Sequence, residues 1–327
     1  MRVVCVGSAS KDIFFPTGEG EVRIENGVKK LVFNLGAKYH INDRFESLGG
    51  CAVNQAVGMS RLGIQVSCYS SVGDDLIGRW IIDEMEKERV DMNLIQIENN
   101  CPSGLSDIVV EEGSGERIIF SNQEANEKLE VNPEKLGGAD LVSVTDLSGD
   151  WRGVLGSVLE YCKEKGIKTA INPRRINIKE DPKSVLRFSR MADVFFSNKD
   201  EAMELLGKVG VGISNDEKEA FLVEKIQELG PNIAVVTDGE RGAWITDGEK
   251  TFQALAAKEK AVDSTGAGDA FSSGFLAAFI QGKEIEECAK WGILNGGSVV
   301  NFYGGTEGLL GVGKIEERLN KVQITKL

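Results

Sequence analysis

Short, continuously apolar runs alternate with stretches of helical periodicity through most of the chain. Val3-Val4-Cys5-Val6-Gly7 is apolar without a polar face, which marks a strand covered on both sides. Residues 52–62 carry apolar side chains at helical spacing and stop at Gly63, and glycine ends helices by taking up a left-handed conformation. A strand over 64–72 and a helix over 76–87 follow. The same alternation predicts strands at 141–144, 167–171, 192–196 and 233–237, with helices at 151–165, 200–206 and 217–229 among them. Strands joined by helices of this length pair in parallel through right-handed crossovers. The expected fold is therefore α/β, a doubly wound and mainly parallel sheet with helices on both faces.

Two stretches interrupt this rhythm. Residues 13–48 hold extended, turn-rich sequence at 22–24, 28–34 and 45–47. Residues 94–120 read as three short strands, with Glu112-Gly113-Ser114-Gly115-Glu116 as a hairpin turn between two of them. Together they predict a small antiparallel sheet beside the main one. No repeat and no linker rich in Pro or Ser divides the chain. Residues 1–327 are expected as one α/β domain, with excursions at about 13–48 and 94–120.

Composition narrows the chemistry. Net charge is −13, from 38 Lys and Arg against 51 Asp and Glu, which disfavours nucleic acid or an anionic membrane as partner. His40 is the sole histidine, so a multi-histidine metal site is excluded; a partly exposed polar residue is the expected reading. Six cysteines (Cys5, Cys51, Cys68, Cys101, Cys162, Cys288) are scattered without a Cys-x-x-Cys, against zinc ribbons and dithiol redox sites. Dispersed thiols fit a reducing compartment, the first residues read as a strand rather than a signal peptide, and no apolar run reaches the ~18 residues of a membrane span. A cytosolic location is expected. Glycine is over-used, at 39 of 327 residues against a background of about 7%.

Those glycines fall into motifs. In Val262-Asp263-Ser264-Thr265-Gly266-Ala267-Gly268-Asp269-Ala270-Phe271 a loop with two glycines opens into an apolar helical run reaching Ile280. The first amides of a helix are unpaired and, with the helix dipole, favour an anion. Glycine lets a phosphate approach them. Asp269 stands in the first turn, where a carboxylate can take a proton from a hydroxyl while the amides stabilise a transferred phosphoryl group. Taken alone, such an acid is more simply a complement to the dipole.

The whole string closely resembles the C-terminal signature of the PfkB/ribokinase family of carbohydrate and nucleoside kinases, with Ser264 where the family usually has Thr. The resemblance implies that Asp269 is the catalytic base and that Gly266, Ala267 and Gly268 form the anion hole. It also implicates Asp263 and Thr265 in holding a monovalent cation such as K+ in members that need one. Other motifs fall in the family's order. Gly49-Gly50-Cys51-Ala52-Val53-Asn54 matches the element whose glycines and Asn contact the acceptor's hydroxyls, here Gly49, Gly50 and Asn54. Asp12 matches the acid that grips two sugar hydroxyls. Val72-Gly73-Asp74-Asp75 with Gly78 matches a structural turn. Asn198-Lys199-Asp200-Glu201 matches the Asn-x-x-Glu element, with Asn198 and Glu201 near a hydrated Mg2+; without the other motifs it would be a helix cap. Thr237, Gly239 and Gly242 match the turn bordering the nucleotide phosphates, and a tight strand-to-strand turn explains them equally. Asn295 falls where the family lines the adenine pocket.

Two alternatives lack their fingerprints. Gly308-x-x-x-x-Gly313-Lys314 has Ile315 in place of the Ser or Thr of a phosphate-binding loop, and reads as the turn into a C-terminal helix. No Gly-x-Gly-x-x-Gly follows a strand, as a dinucleotide-binding dehydrogenase requires. The resemblance implies an ATP- and Mg2+-dependent kinase acting on a hydroxyl of a small sugar, with the small sheet as a lid and a homodimer formed through it. Nucleoside kinase is the second reading, with Phe14, Phe15, Phe33 and Tyr39 as the lid aromatics that could stack a base. A ketodeoxygluconate-type kinase is the third, with Arg117, Arg174 or Arg175 meeting a carboxylate. Cys51, where phosphofructokinase-type members carry Lys, weakens the case for a phosphorylated acceptor. A non-catalytic sugar or nucleotide sensor is the reading outside the class, and intact Asp269 disfavours it.

Overall fold

The computed structural model describes residues 1–41, 43–113, 116–213, 218–256 and 262–327. Its organising strand is Arg2–Gly7, buried on both faces from Val3 onward. It pairs in parallel with Gln65–Tyr69 on one side and Leu141–Thr145 on the other. Lys168–Asn172, Val194–Asn198 and Ile233–Thr237 continue the parallel order. Ala243–Thr246, Thr251–Ala254 and Ile324–Lys326 then extend the sheet antiparallel, to nine strands. The sequence reading did not anticipate those three, because tight turns rather than helical crossovers connect the first two.

Helices cover both faces, as the apolar runs require. Cys51–Arg61, Ala267–Ile280 and Ile285–Val299 pack into one core layer, and Trp151–Lys165, Lys199–Lys208 and Glu219–Glu228 into the other. The helices Leu76–Lys87 and Trp151–Lys165 coincide with their expected bounds. Each has an aspartate at its N-cap: Asp75 accepts from the Gly78 amide and Asp150 from that of Gly153. Asp75 also accepts from the Ser103 amide and hydroxyl, which gives the 72–78 turn its structural role. The strand expected over 64–72 divides at Ser70 into Gln65–Tyr69 and Ser71–Gly73. The helix expected from 217 begins at Glu219; Glu217 lies outside the described residues. No helix among the described residues is long and apolar enough to cross a membrane.

The smaller sheet runs in the order Arg117–Asn122, Leu105–Glu111, Ser10–Thr17, Phe45–Gly49. Its outer pairs are antiparallel, while Ser10–Thr17 and Leu105–Glu111 run parallel. Ser10–Thr17 alternates buried with half-buried residues until its last position, the period of a half-covered strand. It begins three residues after Gly7, so the chain passes from the large sheet to the small one across Ser8 and Ala9 alone. Glu21–Glu25 and Val28–Val32 form a separate, largely exposed ribbon. Gln96–Glu98 pairs with Ser71–Gly73 instead of joining the small sheet. Of the expected 112–116 hairpin turn, Ser114 and Gly115 lie outside the described residues, although the Glu111 amide bonds to the Glu116 carbonyl at 2.8 Å.

The path contains one reversal of strand order beside the first strand. From Arg2–Gly7 the chain first crosses to Gln65–Tyr69 and later returns to Leu141–Thr145 on the opposite side. Ligands of open α/β sheets bind beyond the carboxyl ends of the strands at such a reversal, here beyond Gly7 and Thr145.

Candidate active site

The residues just past Gly7 and the glycine pair make one wall. Asp12 is 6% exposed, and Ser10 Oγ donates to its Oδ1 at 2.9 Å. A Cβ at Gly49 would overlap the Asp12 carboxyl group. Gly50 has φ +85° and caps the helix Cys51–Arg61, and a side chain there would run into the Ser8 and Ala9 backbone. One turn into that helix, Asn54 Nδ2 donates to Asp269 Oδ2 at 2.9 Å. Its Oδ1 is buried without a hydrogen-bond partner.

Asp269 enters from the other side. Gly266, at φ +72°, caps the helix Ala267–Ile280; a Cβ there would overlap the Gly305 backbone, whereas Gly268 faces open space. The Ala267 amide closes the turn onto the Ser264 carbonyl at 3.3 Å. Among the described residues the Gly266, Gly268 and Asp269 amides have no hydrogen-bond acceptor, so these three are the donors left for an anion. Burial pushes the Asp269 carboxyl up to about 7, the Asn54 hydrogen bond opposes the shift, and the nearby Asp146 charge adds to it. Burial likewise lifts Asp12 to about 6, against hydrogen bonds from Ser10 and Ser106.

Asp146 escaped the sequence reading. It directly follows the strand Leu141–Thr145 and adopts φ +52°, which is rare outside glycine. The Ser8 hydroxyl donates to its Oδ2, and Arg174 Nε pairs with its Oδ1 at 2.7 Å. Ser8 Oγ in turn accepts from the Cys51 amide at 3.0 Å. Burial raises the Asp146 carboxyl, and Arg174 is the main opposing influence. A polar residue immediately after a strand at the reversal is the signal that could have found it. Of the arginines considered for a carboxylate ligand, Arg174 is thus held by Asp146. Arg175 pairs with Glu204 at 2.8 Å, and Arg117 donates to Ser264 Oγ at 2.9 Å.

Beyond Gly268 lies a cavity of about 410 Å3. Phe271, Ile293 and Val300 give it an apolar floor, and Thr237, Gly239 and Gly242 form a wall. A side chain at Gly242 (φ +88°) would collide with the Ala254 carbonyl, so the same turn also serves the hairpin between Ile233–Thr237 and Ala243–Thr246.

Three expectations meet a different arrangement. Asn295 does not line the cavity: it is fully buried, bonding through Nδ2 to the Ala270 carbonyl and Ser273 Oγ and through Oδ1 to the Leu310 amide. Helical periodicity turns Gly292, Ile293, Gly296 and Gly297 toward the cavity and Asn295 away from it. Asn198 and Glu201 form a reciprocal capping box, each side chain bonded at 2.9 Å to the other's backbone amide. They stand outside the cavity lining, and Glu201, raised by burial, keeps its Oε1 outside the cap. Asp263 Oδ1 accepts from the Thr265 amide and hydroxyl, and its Oδ2 accepts from the Gly304 amide at 3.2 Å, so this pair braces the glycine loop. No group of three His, Cys, Asp or Glu suited to a metal occurs among the described residues. The six thiols are free. The Gly308–Lys314 stretch leads into the short helix Val312–Glu316, as its missing hydroxyl suggested.

The chain is 28% identical over 260 residues to an uncharacterized sugar kinase of Archaeoglobus fulgidus, covering 77% of this chain and 98% of that one. It is 27% identical over 261 residues to the cytidine kinase of Thermococcus kodakarensis, covering 78% and 88%. Among solved structures, Arabidopsis thaliana ribokinase complexed with ribose and ATP superposes with a TM-score of 0.79 at 22% identity, covering 97% of this chain and 98% of that one. That likeness establishes a ribokinase-like fold. The profile described as pfkB family carbohydrate kinase matches residues 28–309, which span the glycine pair, the cavity wall and Asp269. The paired carboxylate and helix N-terminus thus sit in a sequence context already typed: the chain belongs to the pfkB family of carbohydrate kinases.

Proposed function

We propose that this kinase transfers the γ-phosphoryl group of ATP to a hydroxyl of a small sugar, with Asp269 as general base. The observation that carries the reading is the position of Asp269. Its carboxyl is poised near neutrality between the Asn54–Asp12 wall and the open Gly268 end of the cavity. A general base works best with a pKa near the operating pH. The acceptor lies against Asp12, Gly49, Gly50 and Asn54, whose unpartnered Oδ1 takes a hydroxyl proton donor. Asp269 removes the proton of the attacking hydroxyl. The hydroxyl oxygen bonds to the γ-phosphorus as the bond to the β–γ bridging oxygen breaks, and ADP carries away that electron pair. The amides at Gly268 and Asp269 oppose the charge on the transferred oxygens.

The nucleotide occupies the cavity, its base over Phe271, Ile293 and Val300 and its phosphates toward Thr237, Gly239, Gly242, Gly266 and Gly268. Glu201, through the oxygen its cap leaves over, and Asn198 hold Mg2+ by way of water; the ion neutralises phosphate charge when bound. A requirement for K+ draws on Asp263 and Thr265, whose mutual bonds shape the loop. The small sheet excludes water over the acceptor, and Arg117 ties it to Ser264. Its edge strand exposes Ile119 and Phe120, which supports a homodimer paired through this sheet.

A sugar is preferred over a nucleoside because three of the four candidate stacking rings, all but Phe15, are already engaged. Phe14 is buried against Tyr303, which also stacks on Phe45 at 4.8 Å, and Phe33 packs on Tyr39. The test is a coupled ATP-consumption assay across pentoses, hexoses, nucleosides and ketodeoxygluconate, with Asp269→Asn beside the parent. The variant is expected to keep ATP binding and lose at least ~100-fold in turnover. Near-normal turnover would remove Asp269 from the mechanism.

A further inference from the structure

The charges around the acceptor wall are lopsided. Asp12, Asp146 and Asp269 interact with one another there, and Asp263 adds to the field at Asp12. Against these four carboxylates stand two guanidinium groups among the described residues: Arg174, whose charge reaches Asp146 and Cys51, and Arg117, whose Nη1 lies 3.8 Å from Asp263 Oδ1. The Arg174 guanidinium is committed: Nε to Asp146 Oδ1 at 2.7 Å and Nη1 to Ser148 Oγ at 2.6 Å. Its backbone is fixed as well, since the Arg174 amide donates to Asn177 Oδ1 at 2.9 Å and starts the helix Arg175–Glu180. The pair is only partly screened, with the Asp146 side chain 20% and the Arg174 side chain 34% exposed.

We infer that the Arg174–Asp146 pair is a charge filter, limiting the acceptor to neutral polyols and rejecting sugar acids and sugar phosphates. The inference rests on the sugar-kinase reading and names the acceptor class for it. A neutral hydroxyl finds abundant acceptors in Asp12, Asp146 and Asn54. An anionic substituent meets carboxylates instead, and both guanidinium groups that could bind it are engaged, Arg174 by Asp146 and Arg117 by Ser264 and Asp263. Opposed like charges cost enough to discriminate by about 100-fold or more. Arg174 is then a latent anion site. Asparagine at 146 tolerates the left-handed backbone and keeps an acceptor for Arg174 while removing the charge that holds it.

The experiment compares kcat/KM for neutral acceptors (ribose, fructose) and anionic ones (ribose 5-phosphate, fructose 6-phosphate, ketodeoxygluconate). It uses the parent, Asp146→Asn and the double variant Asp146→Asn with Arg174→Ala. The parent is expected to favour a neutral acceptor by about 100-fold or more. Asp146→Asn is expected to shift that ratio at least ~10-fold toward the anionic set, and the double variant to lose the gain. A parent that prefers an anionic acceptor, or an Asp146→Asn ratio that does not move, overturns the filter while leaving the kinase reading intact. Parent protein that turns over no acceptor of either charge overturns the kinase reading itself. If Asp146→Asn does not fold, the parent's preference decides alone, supported by thermal protection from fructose set against fructose 6-phosphate.

Discussion

Asn54 Nδ2 and Asp269 Oδ2 meet at 2.9 Å, joining the helix after the glycine pair to the helix after the anion-binding turn. The bond favours the ionised carboxylate and so opposes the burial that raises it. Asn54→Ala is expected to push the Asp269 pKa further up. The acidic limb of the kcat/KM–pH profile, near 7 in the parent, moves alkaline, and turnover at pH 7 falls about tenfold. A limb that stays put argues that another group titrates there.

Burial of Asp269 also has a stability signature. Its folded pKa, about 7, lies above the ordinary 3.8. Between those values the folded chain retains a proton that the unfolded chain has released, so this group's contribution to stability is lost as pH rises through that window. Asp269→Asn removes the titration. Thermal unfolding is expected at higher temperature than the parent at pH 8, by up to about 4 kcal/mol of stability, and the two should converge near pH 4. Parallel curves across that range would contradict the shift.

Gly49 has no room for a side chain, because a Cβ would overlap the Asp12 carboxyl. Gly49→Ala therefore rotates Asp12 away from the acceptor. KM for the sugar is expected to rise at least ~10-fold, the loss of one charge-assisted hydrogen bond, while KM for ATP stays at its parent value. Steady-state kinetics with each substrate varied distinguishes this from a general loss of fold.

Asn295 braces two helices and a loop rather than a nucleotide. Asn295→Ala leaves the Leu310 amide and the Ala270 carbonyl without that partner, each a cost of about 1–3 kcal/mol. Denaturant unfolding should register the loss, and KM for ATP below the new melting temperature should not change. A selective rise in that KM would return Asn295 to the nucleotide site.

The parallel half of the sheet was legible in the sequence because its strands are apolar on both faces and its helices carry clear caps, as at 76–87 and 151–165. The antiparallel strands Ala243–Thr246 and Thr251–Ala254 were not, since strands of four residues leave too little pattern. Asp269, Asp12 and the glycine pair, which the sequence singled out through its motifs, are brought close together by the fold, with Gly49 against Asp12 and Asn54 bonded to Asp269. Asn295 was expected at the cavity and is buried away from it, because a position on a helix does not reveal which face meets the cavity. Asp146, and with it the pairing that engages Arg174, was missed for the opposite reason: the two residues follow different strands, and nothing in either local stretch announces their partnership.

The overlap of Gly49 with Asp12 carries a consequence for descent. Two positions on different strands of the small sheet occupy one volume, so they cannot drift independently. A lineage that admits any side chain at 49 must surrender or reorient the acid at 12, and with it the grip on the acceptor. Across relatives, the two sites should covary as a unit, and a chain keeping the glycine while losing the acid would mark an ancestor that changed its acceptor before it changed its backbone.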